Sequence, residues 1–235
     1  MSEGAEGHQS SSGNEGVSGK DTGDKLLEIY DVLNGYFGNM NWWPGESPFE
    51  VAVGAILTQN TNWNNVERAI ASLKSEHLLD SNRLFEAEET CIAALIRPAG
   101  YYNIKARRLK AFLGFLHEEY EGDMGQMFQD ELWHVRERLL SVKGIGEETA
   151  DSILLYGGNK AIFVVDAYTR RILERHGIIK EGCRYGEIQK LFMESLTQDS
   201  RLYNQYHALL VQTAKSFCKK RPHCDECPLN NMINI

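Results

Sequence analysis

The chain has 235 residues, 42% of them hydrophobic, and a formal charge of -8. That length and apolar content can bury a core without covalent staples, and the longest apolar runs, Val51 to Leu57 and Ala161 to Val165, fall well short of the roughly 20 residues a membrane helix needs. The opening Met1-Ser2-Glu3-Gly4-Ala5-Glu6 has neither a basic stretch nor an apolar core, so no secretory signal is read there, and an intracellular, reducing setting with no membrane partner is expected.

Residues 1–24 are rich in Gly, Ser and acids and nearly free of large apolar side chains, which predicts a disordered acidic tail. Glu3, Glu6, Glu15, Asp21 and Asp24 against Lys20 place a charge of -4 there and leave -4 for the rest. That balance predicts weak non-specific affinity for nucleic acid and a strong dependence on salt. From Lys25 the pattern turns helical, with Leu26, Leu27, Tyr30, Leu33 and Phe37 at three- and four-residue steps. Residues 39–48, with two Pro, a Gly and the pair Trp42-Trp43, read as a loop.

Helices are predicted over 49–58 and 66–73, separated by the polar segment Gln59-Asn60-Thr61-Asn62-Trp63, then over 84–96, 103–119, 128–140, 147–156, 167–176, 185–194 and 201–217. Gly100, Gly122, Gly144, Gly146, Gly157-Gly158, Gly177 and Gly182 mark the turns. Only Ala161 to Val165 has β-type composition, and one short run cannot build a sheet. The fold class is therefore all-α, with roughly ten helices and short connections, and a monomer is expected.

Two segments carry chemistry. In 139–150, Leu-Leu-Ser-Val-Lys-Gly-Ile-Gly-Glu-Glu-Thr-Ala, two glycines one residue apart join two amphipathic helices. Gly144 and Gly146 let the backbone come close to a ligand, and the N–H groups opening the next helix favour an anion; Lys143, Ile145 and Thr149 share that turn. A phosphate suits such a site without bulk positive charge, and an ordinary helix corner is the plainer alternative. Some twenty residues on, Asp166 ends the apolar run Val164-Val165 at the start of a helix, where it is either a simple N-cap or a working carboxylate.

Together these segments resemble a known family. Leu-x-x-Val-x-Gly-Ile-Gly-x-x-Thr-Ala, then Gly-Gly, then Val-Val-Asp-x-x-x-x-Arg resembles the helix-hairpin-helix and Asp signature of the DNA glycosylases that include endonuclease III. Leu57-Thr58-Gln59-Asn60-Thr61 and the segment 96–106 resemble further parts of that family, so the likeness covers about residues 26–230. It implies two helical subdomains with an active-site cleft between them. One is a six-helix barrel over 49–160 holding the hairpin; the other is built from 25–48 and 161–235.

The resemblance implies a base-excision enzyme that hydrolyses the N-glycosidic bond of a damaged base flipped from double-stranded DNA. Asp166 matches the catalytic aspartate, and a carboxylate beside the sugar both stabilises an oxocarbenium-like centre and positions water. Glu148 occupies the position at which bifunctional members place a Schiff-base lysine, so a monofunctional enzyme without efficient strand cleavage is expected; Glu148 is read either as a pocket residue or as an exposed first-turn acid. Gln59 matches the residue that fills the gap left by the flipped base, with an ordinary loop amide as the plainer alternative. Trp43 and Trp63 are read either as walls of the base pocket or as packing.

The combination Trp-Trp-Pro at 42–44, Gln-Asn-Thr at 59–61 and Lys-Gly-Ile-Gly-x-Glu at 143–148 is most similar to the branch that removes N3-methylated purines. A cationic alkylated base stacks favourably on tryptophan. The rivals are a mismatch-specific adenine or thymine glycosylase and a non-catalytic DNA-binding hairpin module. Finally, Cys218-x5-Cys224-x2-Cys227 resembles the family's [4Fe-4S] loop. The fourth Cys, expected near Ile233, is missing, and the alternatives are a zinc site completed by His223 or a loop without metal.

Overall fold

A computed structural model describes residues 19–42 and 45–232. Among these residues every regular element is helical: α1 Gly19–Phe37, α2 Pro48–Thr58, α3 Trp63–Ser75, α4 Ser81–Glu86, α5 Glu89–Leu95, α6 Tyr102–Tyr120, α7 Met124–Met127, α8 Leu132–Ser141, α9 Glu147–Ser152, α10 Ala167–Arg175, α11 Tyr185–Ser195 and α12 Ser200–Ser216, with a π-helical turn, Ile153–Gly157, running on from α9.

Helix α2 is the hub of the first group of helices. Ser47 caps it by accepting the Glu50 amide at 3.2 Å, and Pro48 supplies a pre-set φ at its first turn. Every residue from Phe49 to Leu57 is buried, so this helix is apolar all round and needs neighbours on every side. Helices α3, α6, α7 and α9 and the π-helical turn supply them. Where α2 ends, Lys105 of α6 is wholly buried and donates to the carbonyls of Leu57 and Ala99, both at 2.8 Å. Burial and the nearby Arg108 charge pull that ammonium down to about 8.

A second group forms from the two ends of the chain. Helix α1 packs on α11 and α12, and α10 packs on α12. The β-type run does not pair with any strand; instead Ile162 to Val165 cross the interior as a buried connector. Phe163 stacks on Phe192 at 3.7 Å and meets Tyr203 and Tyr206 edge-on. The π-helical turn touches both α2 and α12, and so joins the two groups.

Several expectations need correction. Helix α1 starts at Gly19 and not near Lys25, so residues 19–24 are helical, while 1–18 lie outside the described residues. Gly23 is buried where α1 packs on α11, with Ser195 at ordinary contact distance from it. On the same helix Leu27 is 43% exposed, and Ile29 takes the core position. The segment 84–96 is two helices, because Ala87 and Glu88 are both extended. Lys110 satisfies the carbonyls released at that break, those of Phe85 and Ala87. Helix 128–140 starts at Leu132 behind a Glu131 cap, preceded by the short α7.

Candidate active site

Asp166 stands at the N-cap of α10 with an extended backbone, φ -105 and ψ 179. Its Oδ1 accepts the Thr169 amide at 2.7 Å, so the cap and the candidate catalytic carboxylate are one side chain. Its Oδ2 lies 3.7 Å from Nε2 of His207, a buried residue of α12. On the other side of that ring, Nδ1 lies 2.6 Å from the hydroxyl of Tyr156 in the π-helical turn. Burial lowers the His207 pKa; the Asp166 carboxylate works against that, and Lys215 adds to it. The ring is therefore neutral at pH 7.

Burial pushes the Tyr156 hydroxyl well above its ordinary range, helped by the negative charges of Asp166 and Glu148. The indole N–H of Trp42 lies near that hydroxyl without meeting hydrogen-bond geometry. Glu148, in the first turn of α9, is exposed by its own surface area yet is set among enough protein to raise its carboxyl to about 7, with the Asp166 charge as the second cause. Asp166 and Glu148 thus stand close enough for the charge of the first to raise the carboxyl of the second.

The connector that delivers Asp166 is held from behind. Asp151 of α9, wholly buried, takes Arg136 in a bidentate pair at 2.7 and 3.1 Å, the Tyr185 hydroxyl at 2.8 Å and the Gln189 amide at 2.6 Å. Gln189 also donates to the Phe163 carbonyl at 2.7 Å, and the Val165 amide donates to Tyr185 at 3.3 Å. Side chains from α8, α9 and α11 therefore fix the three residues before Asp166.

In the hairpin, Gly144 has φ +96, a conformation that favours glycine, and a Cβ there would fall 2.4 Å from Cγ of Arg108. Gly144 is required by its dihedral and by Arg108. Gly146 instead faces open space, with nothing within 4 Å of a built Cβ, and it begins α9. Lys143 is exposed, whereas Ile145 and Thr149 are buried. Gln59 donates to the Gly144 carbonyl at 3.1 Å and the Thr149 hydroxyl at 2.9 Å, and accepts from Arg108. It is folded onto the hairpin, and the Thr149 hydroxyl is engaged within the protein.

Trp63 opens α3, half-buried, with its indole N–H on Glu67 at 2.8 Å, and it packs against the core. Trp43 lies outside the described residues. A cavity of about 660 Å³ between α1 and α12, lined by Asn34, Asn41, Asn159 and Gln205, shares Trp42 with the Asp166 group. His207, Tyr156 and Arg108 escaped the sequence reading. His207 lies 41 residues after Asp166 and reads as one more buried position of a helix.

Cys218, Cys224 and Cys227 line one small cavity together with Arg175, His176 and His223. Arg175 donates to the Cys218 sulfur at 3.1 Å, and burial raises the Cys227 thiol, with the other two thiols adding to the rise. The cavity is about 30 Å³, room for a water or two. No three His, Cys, Asp or Glu among the described residues converge on a single ion, and Ile233 stands where a fourth Cys is expected. As the side chains stand, this set completes neither a four-thiolate cluster nor a zinc site.

The family model of the HhH-GPD superfamily of base excision DNA repair proteins matches residues 53–198. The chain belongs to that superfamily. A protein of Methanocaldococcus jannaschii bearing the name of a DNA repair glycosylase is 48% identical over 208 residues, covering 88% of this chain and 94% of its own. Endonuclease III of Thermotoga maritima is 30% identical and covers 78% and 81%. Among solved structures, the H. pylori 3-methyladenine DNA glycosylase bound to 1,N6-ethenoadenine shares 29% identity at a TM-score of 0.70, covering 83% of this chain and 97% of that one. An endonuclease III–DNA complex, 19% identical with a TM-score of 0.78, shares the fold. This HhH-GPD chain is accordingly an all-helical DNA glycosylase, and the likeness to endonuclease III read from its motifs stands. Among its described residues no helix is long and apolar enough to cross a membrane.

Proposed function

We propose that this DNA glycosylase is monofunctional, acts on double-stranded DNA, and releases an alkylated purine of the N3-methyladenine kind, with Asp166 as its catalytic carboxylate. The observation that carries the reading is the carboxylate pair: Asp166 is held by the Thr169 amide, and Glu148 stands beside it where a lysine would be needed for a covalent adduct. The C1′–N bond breaks with its electron pair leaving on the base, water adds to C1′, and the water proton passes to Asp166. A base already cationic leaves as a neutral molecule, so it needs no protonating acid. The neutral His207 fits that requirement, and the Asp166 charge that raises both Glu148 and Tyr156 attracts a cation. The H. pylori 3-methyladenine glycosylase among the similar structures supports the same substrate class.

The open backbone at Gly146 and the first amides of α9 suit a DNA phosphate, with Lys143 beside them. Gln59 reaches a gap in the duplex by giving up its bonds to Gly144 and Thr149, so DNA binding and release of Gln59 from the hairpin are coupled. Base release from duplexes carrying an alkylated purine, a uracil or an A·G or T·G mismatch tests the substrate class: fastest release of the alkylated purine is expected, and preference for another lesion overturns it. Borohydride during turnover is expected to trap no protein–DNA adduct; a trapped adduct overturns the monofunctional reading.

A further inference from the structure

The wall behind Asp166 contains a buried polar atom with no hydrogen-bond partner, Nε2 of His207, aimed at the carboxylate from 3.7 Å. Such atoms are rare in folded proteins because burying one without a partner is costly. The ring has little freedom: His207 is buried, Phe163 packs near it, and its Nδ1 is taken at 2.6 Å by Tyr156. The three members come from separate elements, α10, α12 and the π-helical turn, so only the tertiary fold assembles them. A π-helical turn in that position is itself a common mark of a functional site.

We infer that His207, oriented by Tyr156, is a positioning residue that holds a ring N–H toward Asp166 and strengthens its hold on the carboxylate as the sugar becomes cationic. The inference rests on Asp166 being the catalytic carboxylate. Tyr156 keeps its proton, since burial and the negative charges of Asp166 and Glu148 hold its hydroxyl well above the ordinary range. The phenol therefore donates into Nδ1, which fixes the proton of the neutral ring on Nε2. A gap of 3.7 Å is too long for a hydrogen bond, and closing it takes a shift of well under 1 Å. Contacts of this kind tighten when substrate is bound. The groups that face the carboxylate are then Glu148 from α9, Tyr156 from the π-helical turn, and His207 with Lys215 behind it from α12.

The test combines turnover with a measurement that needs no substrate. His207→Phe keeps the ring volume and removes both nitrogens, whereas His207→Gln keeps a donor near the Nε2 position. The expected result is a fall in single-turnover rate of about 10- to 100-fold for His207→Phe with DNA affinity unchanged, and recovery of most of that loss in His207→Gln. The acid limb of the pH–rate profile is expected to move to higher pH in His207→Phe, because the carboxylate has lost a donor. Nitrogen-15 NMR of the histidine rings is expected to show His207 neutral with its proton on Nε2, and a mixture of tautomers in Tyr156→Phe. A His207→Phe variant that folds and keeps the wild-type rate and acid limb overturns the inference, as does an NMR spectrum with the proton on Nδ1. If the wild-type protein releases no base from any duplex while NMR shows the Nε2 tautomer, the reading of the reaction fails and the geometry of the wall does not.

Discussion

The two ends of α10 teach opposite lessons. At its N-terminus Asp166 meets Thr169, His207 and Glu148, and the connector before it is tied to the Asp151 hub, so the carboxylate is in place without any ligand. At its C-terminus, roughly 14 Å away at 1.5 Å per residue, Arg175 and His176 face three thiols whose set is incomplete. The sequence announces the first by the motif around Asp166 and the second only by the spacing Cys218-x5-Cys224-x2-Cys227, which begins 43 residues beyond Arg175. What separates them is whether distant segments supply the remaining partners, and only at the N-terminal end do they.

The largest expected effect falls on that end. Asp166→Asn keeps the cap acceptor and removes the charge, so base release should drop by on the order of 10²–10⁴-fold while DNA binding, measured by fluorescence anisotropy, stays close to wild type. Arg136→Met comes next. It leaves Asp151 buried without its ion-pair partner, and the expected loss is about 3–5 kcal/mol in chemical denaturation, with turnover falling as the connector loosens.

A smaller effect follows from Glu148. Its carboxyl is raised in the folded protein to about 7, above its unfolded value, so the stability it contributes is fully present below the unfolded pKa and is lost as pH rises through the folded one. Glu148→Gln should therefore melt higher than wild type at pH 8, by less than about 2 °C because the group is open to solvent, and the difference should vanish near pH 4. The smallest effect tests the other end of α10. Cys224→Ser should leave the rate of base release within about twofold of wild type, since sites so far apart without shared partners act independently. A loss as large as that of Asp166→Asn would show that the two ends are coupled.

How much was legible follows the range of the forces involved. The helical periods, the tight turn at Gly144 and the cap at Asp166 are local matters of side-chain spacing and backbone dihedrals, and they could be read directly. The break at Ala87-Glu88 could not, because it is stabilised by Lys110 from another helix. Nor could the packing of α1 on α11, which includes residues that composition assigned to a tail. Gln59 was read as a residue for the gap in the duplex, and its hold on Gly144 and Thr149, some 85 and 90 positions away, has no local signal in the sequence.

The sequence by itself determined the all-helical class, the order of the hairpin and the aspartate, and the absence of a lysine at Glu148, since each is a statement about neighbouring residues. Only the tertiary structure decided what surrounds Asp166. Tyr156 and His207, 51 positions apart, become partners through packing of the π-helical turn on α12. The electrostatics of a carboxylate depend on every charge and dipole within a few ångströms, and that neighbourhood exists only once the chain has folded.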